Sequence, residues 1–287
     1  MTSPDSSEPS NKYIVDTELS TELARLIEQD KLLTRAMGGL LPEGPDLSSA
    51  EQMLDVACGP GKWAIDLAFT YPGIEIIGVD LNANTINYAN ALAASRGLTN
   101  VTFEVMDIKK PLAFEDNTFD LINARSIVGL MDQASWPPLL AECKRILKPG
   151  GIVRITEGEA IVTNSTALQR LNNLLTQTMH MQGRTFSVDG NSFGIAYILG
   201  TLLRTTGFEK IEKRPFILDS SYGTELHYSG CKDGETLFPL LKPFFLKSGL
   251  VTEEEFDHLY QMMLIETLGD DFTSITFGLT TWGRKAH

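Results

Sequence analysis

Three aspartates, Asp55, Asp80 and Asp107, each stand at or near the end of a short apolar stretch, and the first leads into the glycine-bearing loop CGPGK. In LDVACGPGKW a carboxylate therefore sits just ahead of Gly59 and Gly61, where a loop built to cradle phosphate would place no negative charge. The two glycines serve either to let the backbone approach a ligand closely or merely to turn a strand into a helix. Asp80, closing IEIIGVD, is placed to accept hydrogen bonds from the two hydroxyls of a ribose, or else to cap the next helix. Asp107, in VMD, is either a partner for an adenine amino group or a solvated loop acid.

Two cofactor classes share a ribose aspartate. A dinucleotide also brings a pyrophosphate, and its GxGxxG fingerprint wants a third glycine for close helix packing where this chain has Ala64. S-adenosylmethionine has a ribose and an adenine but no phosphate, and it adds a cationic sulfonium and a cationic ammonium. A rim of carboxylates suits that ligand and disfavours the other.

The elements that position these residues alternate. QMLDVA, IEIIGVD, VTFEVM, FDLINA and GIVRIT read as strands. Between them KWAIDLAFTY, a segment capped by Asn82 and ending at Gly97, and LLAECKRIL read as helices. That rhythm predicts parallel strands joined by right-handed crossovers, an α/β doubly wound sheet, with ligands beyond the carboxyl ends of its strands. Ahead of it, Leu19 to Met37 has helical spacing and stops at Gly38–Gly39. Behind it, residues 164–182 and 197–206 read as helices, FEKIEKRPFIL as a sixth strand, TLFPLLKPFFLKSG and EEEFDHLYQMMLIETLG as helices, and FTSITFGLTTWGRK as a closing strand.

The totals exclude several classes. With 24 Lys and Arg against 37 Asp and Glu, the formal charge is -13, a field that repels nucleic-acid backbones. Cys58, Cys143 and Cys231 form no CxxC pair, and the four histidines show no HExxH or HxH spacing, so neither a disulfide framework nor a metal site is expected. The opening MTSPDSSEPSNK is unlike a signal peptide, and no apolar run suffices to span a bilayer. These features point to the cytoplasm. Residues 1–12 read as a disordered tail.

LDVACGPG, GVDLN, VMDI, NTFDLINA and LKPGG, in that order and spacing, resemble the class I S-adenosylmethionine-dependent methyltransferases, within the ubiquinone-biosynthesis-like small-molecule group. The resemblance is tight over about residues 50–157 and loose in the flanks. It implies a mostly parallel seven-stranded sheet whose last strand is antiparallel. It also implies that Asp55, Ala57, Gly59 and Gly61 line the methionine portion of the cofactor, that Asp80 holds the ribose and that Leu81 packs on the adenine. Asp107 then accepts from the adenine amino group, the Ile108 backbone N–H meets a ring nitrogen, and Asn123 and Ala124 offer carbonyls near the ammonium. Tyr13 or Arg35 would contact the cofactor from the N-terminal segment. The implied organisation is one methyltransferase domain over 13–287. Within it fall an N-terminal helical cap (13–45), a cofactor-binding core (50–160), helical cap segments (161–207 and 222–270) and closing strands (208–220 and 271–284).

The implied reaction is methyl transfer to a small, partly hydrophobic organic acceptor, with oligomeric state and acceptor atom open. An NAD-type oxidoreductase and a non-catalytic S-adenosylmethionine-binding protein stand as alternatives. No motif marks a catalytic residue. His180 is either a general base or an ordinary histidine, Arg125 holds a carboxylate or pairs with a structural acid, and Glu157 and Glu159 line the acceptor rim or are loop acids. TLFPLLKPFFL, with Met179, Met181, Phe186 and Phe193, either roofs an acceptor pocket or packs cap helices together. Residues 12–40 and 222–270 are expected to close over cofactor and acceptor.

Overall fold

Short strands whose residues are apolar on both faces must be covered on both sides, and the first strand is buried along nearly its whole length. The structure, a computed structural model, describes residues 20–287. The tail read over 1–12 and Tyr13 lie outside the described residues. In chain order the elements begin with α1 (Ser20–Met37), β1 (Gln52–Val56), α2 (Lys62–Thr70), β2 (Glu75–Asp80), α3 (Ala83–Ser95) and β3 (Val101–Val105). β4 (Phe119–Arg125), α4 (Trp136–Ile146), β5 (Leu147–Thr163), α5 (Thr166–Met181) and α6 (Ile195–Thr206) follow. The chain closes with β6 (Phe208–Asp219), α7 (His227–Ser248), α8 (Glu253–Glu266) and β7 (Ser274–Lys285).

The strands form one seven-stranded sheet in the order β3-β2-β1-β4-β5-β7-β6. Neighbours from β3 to β5 are parallel, and β7 runs antiparallel to both β5 and β6. This is the doubly wound arrangement with an antiparallel last strand that the sequence implies. Strand order reverses between β1 and β4, so the switch-point crevice lies where Asp55 and Asn123 pair in register.

Each face of the sheet has its own core. Leu54, Val56, Ile122, Ala124, Val153 and Ile155 pack beneath α4 and α6. Met53, Leu121 and Ile152 pack against α2 and α3 around Trp63 and Phe103. A third cluster joins α5, α7 and α8 through Leu171, Leu174, Phe238, Leu241, Phe245 and Phe256.

Two elements depart from the sequence reading. β5 runs on to Thr163 rather than stopping near GIVRIT, because β7 pairs with it as far as Thr163, across a bulge between Gly158 and Ile161. The helix read over 164–182 opens at Thr166, capped by the Ser165 side chain. α7 begins at His227 rather than at Thr236. Its first turns, HYSGCKDGE, lack apolar periodicity and are held from outside: Arg25 of α1 bonds Asp233, and Gly234 faces Met263 of α8.

Candidate functional site

The turn after β1 is wound in the left-handed region. Ala57 has φ 53°, Gly59 φ 53° and Gly61 φ 72°, a run that only glycine adopts without strain. The two glycines have different reasons for lacking a side chain. A Cβ on Gly59 would meet nothing within 4 Å, so its outer face is open to a ligand. A Cβ on Gly61 would lie 2.5 Å from the Phe103 ring and 3.0 Å from the Ala89 side chain. Gly61 thus serves the close packing of α2 against β3 and α3, while Gly59 alone keeps backbone exposed at the rim.

Asp80 Oδ2 accepts from the Gly59 N–H at 3.0 Å, and its Oδ1 accepts from the Asn82 N–H at 3.0 Å. The helix-cap role belongs to Asn82, whose side chain accepts from Thr85 N, so Asp80 is not the cap of α3. Burial raises the Asp80 carboxyl, against the pull of those backbone donors. Leu81, next in the chain, is 53% exposed, an apolar surface at the rim with no neighbour covering it fully. Asp107 anchors its own turn by accepting from Lys109 N at 3.0 Å. Ile108 and Ala124 send their side chains into the core, which leaves only their backbones for a ligand.

Asp55 is 3% exposed. Burial pushes its carboxyl up to about 7, opposed by Arg125, by a hydrogen bond from Asn123 and by Arg154, and reinforced by Asp30. An acid in that state is poised to ionise when a cation arrives. Cys58, close to both carboxylates, is pushed well above its ordinary value by burial and then by Asp55 and Asp80, so this setting favours the neutral thiol over a thiolate. Among the described residues no group of His, Cys, Asp and Glu is arranged to hold a metal ion.

The expectation for Asn123 concerns its backbone carbonyl, and its side chain has a separate place. Its side chain is fully buried between Asp55 and Arg154, so only its backbone carbonyl remains for a ligand. Arg125 is engaged by α1: it pairs with Asp30, donates to Thr34 Oγ1 at 3.2 Å and lies 5.6 Å from the Trp63 ring centroid. Of its two readings, pairing with a structural acid is the one observed. Arg35 is spent on an exposed pair with Glu225 of the 220–226 turn. His180 stands exposed at the last turn of α5, its Nδ1 2.9 Å from Thr185 Oγ1.

Glu157 is fully buried within β5, one residue past its last pair with β4 at Thr156, and accepts from the Ile127 N–H at 2.8 Å, while its Oε2 has no hydrogen-bond partner among the described residues. Burial raises it to about 8. Glu159 caps α6 through Gly194 N and Ala196 N, both at 2.9 Å. The apolar residues of TLFPLLKPFFL go into the α5–α7–α8 core, so the packing reading holds for that segment.

Sequence reasoning missed Asp30, Glu43, Trp63 and Arg154. An arginine inside the apolar strand GIVRIT was the one available signal, since a buried guanidinium requires a partner. α1 lies against the carboxyl end of β4 through Asp30 and Thr34, packs Leu33 and Met37 on Phe216, and is tied to α7 by Arg25–Asp233. Trp63 Nε1 donates to Leu40 O at 3.1 Å, fastening the segment behind α1 to α2. The arrangement is a rim of carboxylates and open backbone, shut on one side by a helix.

A family model described as a methyltransferase domain matches residues 47–207. The sequence is 33% identical over 135 residues to the "probable methyltransferase ltbC" of Aspergillus luteorubrus, covering 44% of this chain and 47% of that protein. It is 36% identical over 102 residues to the ubiquinone/menaquinone biosynthesis C-methyltransferase UbiE of Desulfotalea psychrophila, covering 36% of this chain and 39% of that one. The chain thus spans less than half the length of these curated relatives. Among solved structures, phosphoethanolamine N-methyltransferase 2 of Haemonchus contortus, in complex with S-adenosyl-L-methionine, superposes with a TM-score of 0.52 at 22% identity, over 88% of this chain and 52% of that one. That likeness bears on the fold.

Proposed function

The chain belongs to the methyltransferase-domain family, and from that premise we propose that it transfers a methyl group from S-adenosylmethionine to a small, partly hydrophobic organic acceptor by in-line displacement. The observation that carries the reading is the switch-point rim, where Gly59 presents open backbone on the half-buried Asp80 carboxyl, in the turn that follows the buried Asp55. A pyrophosphate would be repelled there, and a ligand with a ribose and two cationic centres is accommodated.

In this reading Asp55, Ala57 and Gly59 hold the methionine portion, and Asp80 accepts from the ribose hydroxyls with the lone pairs not used by Gly59 and Asn82. Leu81 covers the adenine, Asp107 accepts from its amino group and the Ile108 N–H donates to its ring. The backbone carbonyls of Asn123 and Ala124 face the ammonium. The cofactor supplies a methyl group on a sulfonium, already activated for displacement. The protein's share is orientation and exclusion of water, and orientation alone can lower such a barrier by about 7–11 kcal/mol. α1, clasped to β4 by Asp30 and Arg125, closes one side of the site. A proton acceptor is required only where the acceptor must lose a proton.

The relatives' names span a quinone-pathway carbon methyltransferase and a phosphoethanolamine nitrogen methyltransferase, so they support methyl transfer without choosing the atom. The test is calorimetric titration with S-adenosylmethionine, its demethylated product and NAD, followed by turnover against a library of phenols, quinols and amines. Tight binding of NAD with none of S-adenosylmethionine would end the proposal.

A further inference from the structure

Four buried polar side chains run in a line from the segment behind α1 to the switch point. Asp55, Asn123 and Arg154 sit in register on β1, β4 and β5. Arg154 is fully buried, pairs through Nε with Glu43 and donates through Nη1 to Asn123 Oδ1 at 2.6 Å. Asn123 Nδ2 donates to Asp55 Oδ1 at 2.7 Å. Each link has a fixed polarity. A guanidinium only donates, so the amide must turn its oxygen to Arg154, and its NH2 group then faces Asp55. Turning the amide over would oppose oxygen to carboxylate and NH2 to guanidinium at the same time.

We propose that Glu43, Arg154 and Asn123 are positioning residues that fix how the Asp55 carboxylate is presented to the ligand. The proposal rests on the S-adenosylmethionine reading above for the identity of that ligand. The neutral amide in the middle is what makes the device suit a cation. An arginine bonded directly to Asp55 would neutralise it and compete with the incoming positive charge. With Asn123 interposed, the guanidinium orients the carboxylate through a neutral group and stays paired with Glu43, and the negative charge of Asp55 remains available. Because Glu43 lies in the segment that follows α1, seating that segment and setting Asp55 are one event.

The groups that face Asp55 are Asn123 and Arg125 on β4, Arg154 on β5, Asp30 on α1 and the Cys58 thiol. Arg125, Asn123 and Arg154 lower its carboxyl from the level that burial sets, and Asp30 raises it. Removing the Arg154 charge and the Asn123 donation therefore raises the pH at which Asp55 loses its proton.

Two variants test this in the full chain. In E43Q/R154M the pair is replaced together, so that no buried carboxylate is stranded, and N123L removes the donor at similar volume. The Asp55 carboxyl is titrated by carbon-13 NMR without ligand, and dissociation constants for S-adenosylmethionine are measured from about pH 6 to about pH 9. Both variants are expected to raise the Asp55 midpoint by about one pH unit. Binding should then be about fivefold weaker near pH 7, close to tenfold weaker near pH 6 and unchanged near pH 9, one unit being a factor of ten once Asp55 is mostly protonated. An unmoved Asp55 midpoint, or an affinity loss equal at every pH, overturns the relay and leaves Arg154 a plain packing residue. Absence of S-adenosylmethionine binding by the wild-type chain overturns the cofactor reading instead, and the ligand-free titration still decides the relay. Should E43Q/R154M fail to fold, N123L alone gives the same two readouts.

Discussion

Arg125, at the end of β4, is bound to Asp30 on α1, 95 residues earlier in the chain, and both side chains are about nine-tenths buried. The pair joins a helix outside the sheet to the strand that borders the switch point.

Breaking that pair from the α1 side should loosen the helix more than the sheet. Asp30→Ala leaves the Arg125 guanidinium buried and unpaired, a loss on the order of 3 kcal/mol. Hydrogen exchange over Ser20–Met37 is expected to accelerate at least tenfold while the strands β1, β2 and β4 change little. The wild-type segment should slow further when S-adenosylmethionine is added, as lids do. Equal exchange with and without cofactor would leave α1 as static packing.

Asp80→Ala should remove most cofactor binding while the sheet stays folded. The carboxylate offers charged hydrogen bonds to two hydroxyls, and its loss costs on the order of 2–4 kcal/mol. Because Asp80 also holds the Gly59 and Asn82 amides, the turn after β1 should become more mobile as well. Calorimetry should show a dissociation constant weaker by at least thirtyfold; an unchanged value would remove Asp80 from the site.

The two loop glycines should fail in different ways. Gly61→Ala drives a methyl into the Phe103 ring, an overpacking cost of about 1–3 kcal/mol on top of the left-handed strain, and should lower the melting temperature by several degrees. Gly59→Ala meets no neighbour, so only the backbone penalty of about 1–2 kcal/mol applies to the free protein. Its main effect should be weakened cofactor binding. Thermal melts and titrations of both variants separate the cases.

Acid should stabilise this fold across one window. Glu157, ordinarily 4.5, is raised to about 8. Its unfolded form ionises first, so the folded state binds the extra proton and stability falls as pH climbs from about 4.5 to about 8. Asp55, ordinarily 3.8 and raised to about 7, acts in the same direction over its own range. Glu157→Gln keeps an oxygen for the Ile127 amide and removes the titration. Melting temperatures between about pH 5 and about pH 8.5 should therefore slope less in that variant than in the wild type. Parallel slopes would mean that Glu157 does not titrate in this window.

The sequence by itself determined the elements and the rim. Apolar runs of strand length, the stops at Pro72–Gly73 and Gly97, and the Asn82 cap are signals carried within a few residues. They act in the unfolded chain as much as in the folded one, so β1 to β4 fall close to where they were read. The three aspartates follow from those boundaries, because a residue at the carboxyl end of a parallel strand is placed by the strand itself.

Only the tertiary structure decided who partners whom. Gly59 and Gly61 are alike in the sequence, and the Phe103 ring alone separates ligand-facing backbone from close packing. Arg125 finds Asp30, and Arg154 finds Glu43 across 111 residues, although no local pattern marks either acid. β5 extends to Thr163 because β7 lies beside it, and the first turns of α7 are helical because Arg25 bonds Asp233. In each case a buried charge or an open strand edge must be satisfied, and the group that satisfies it is fixed only when distant segments meet.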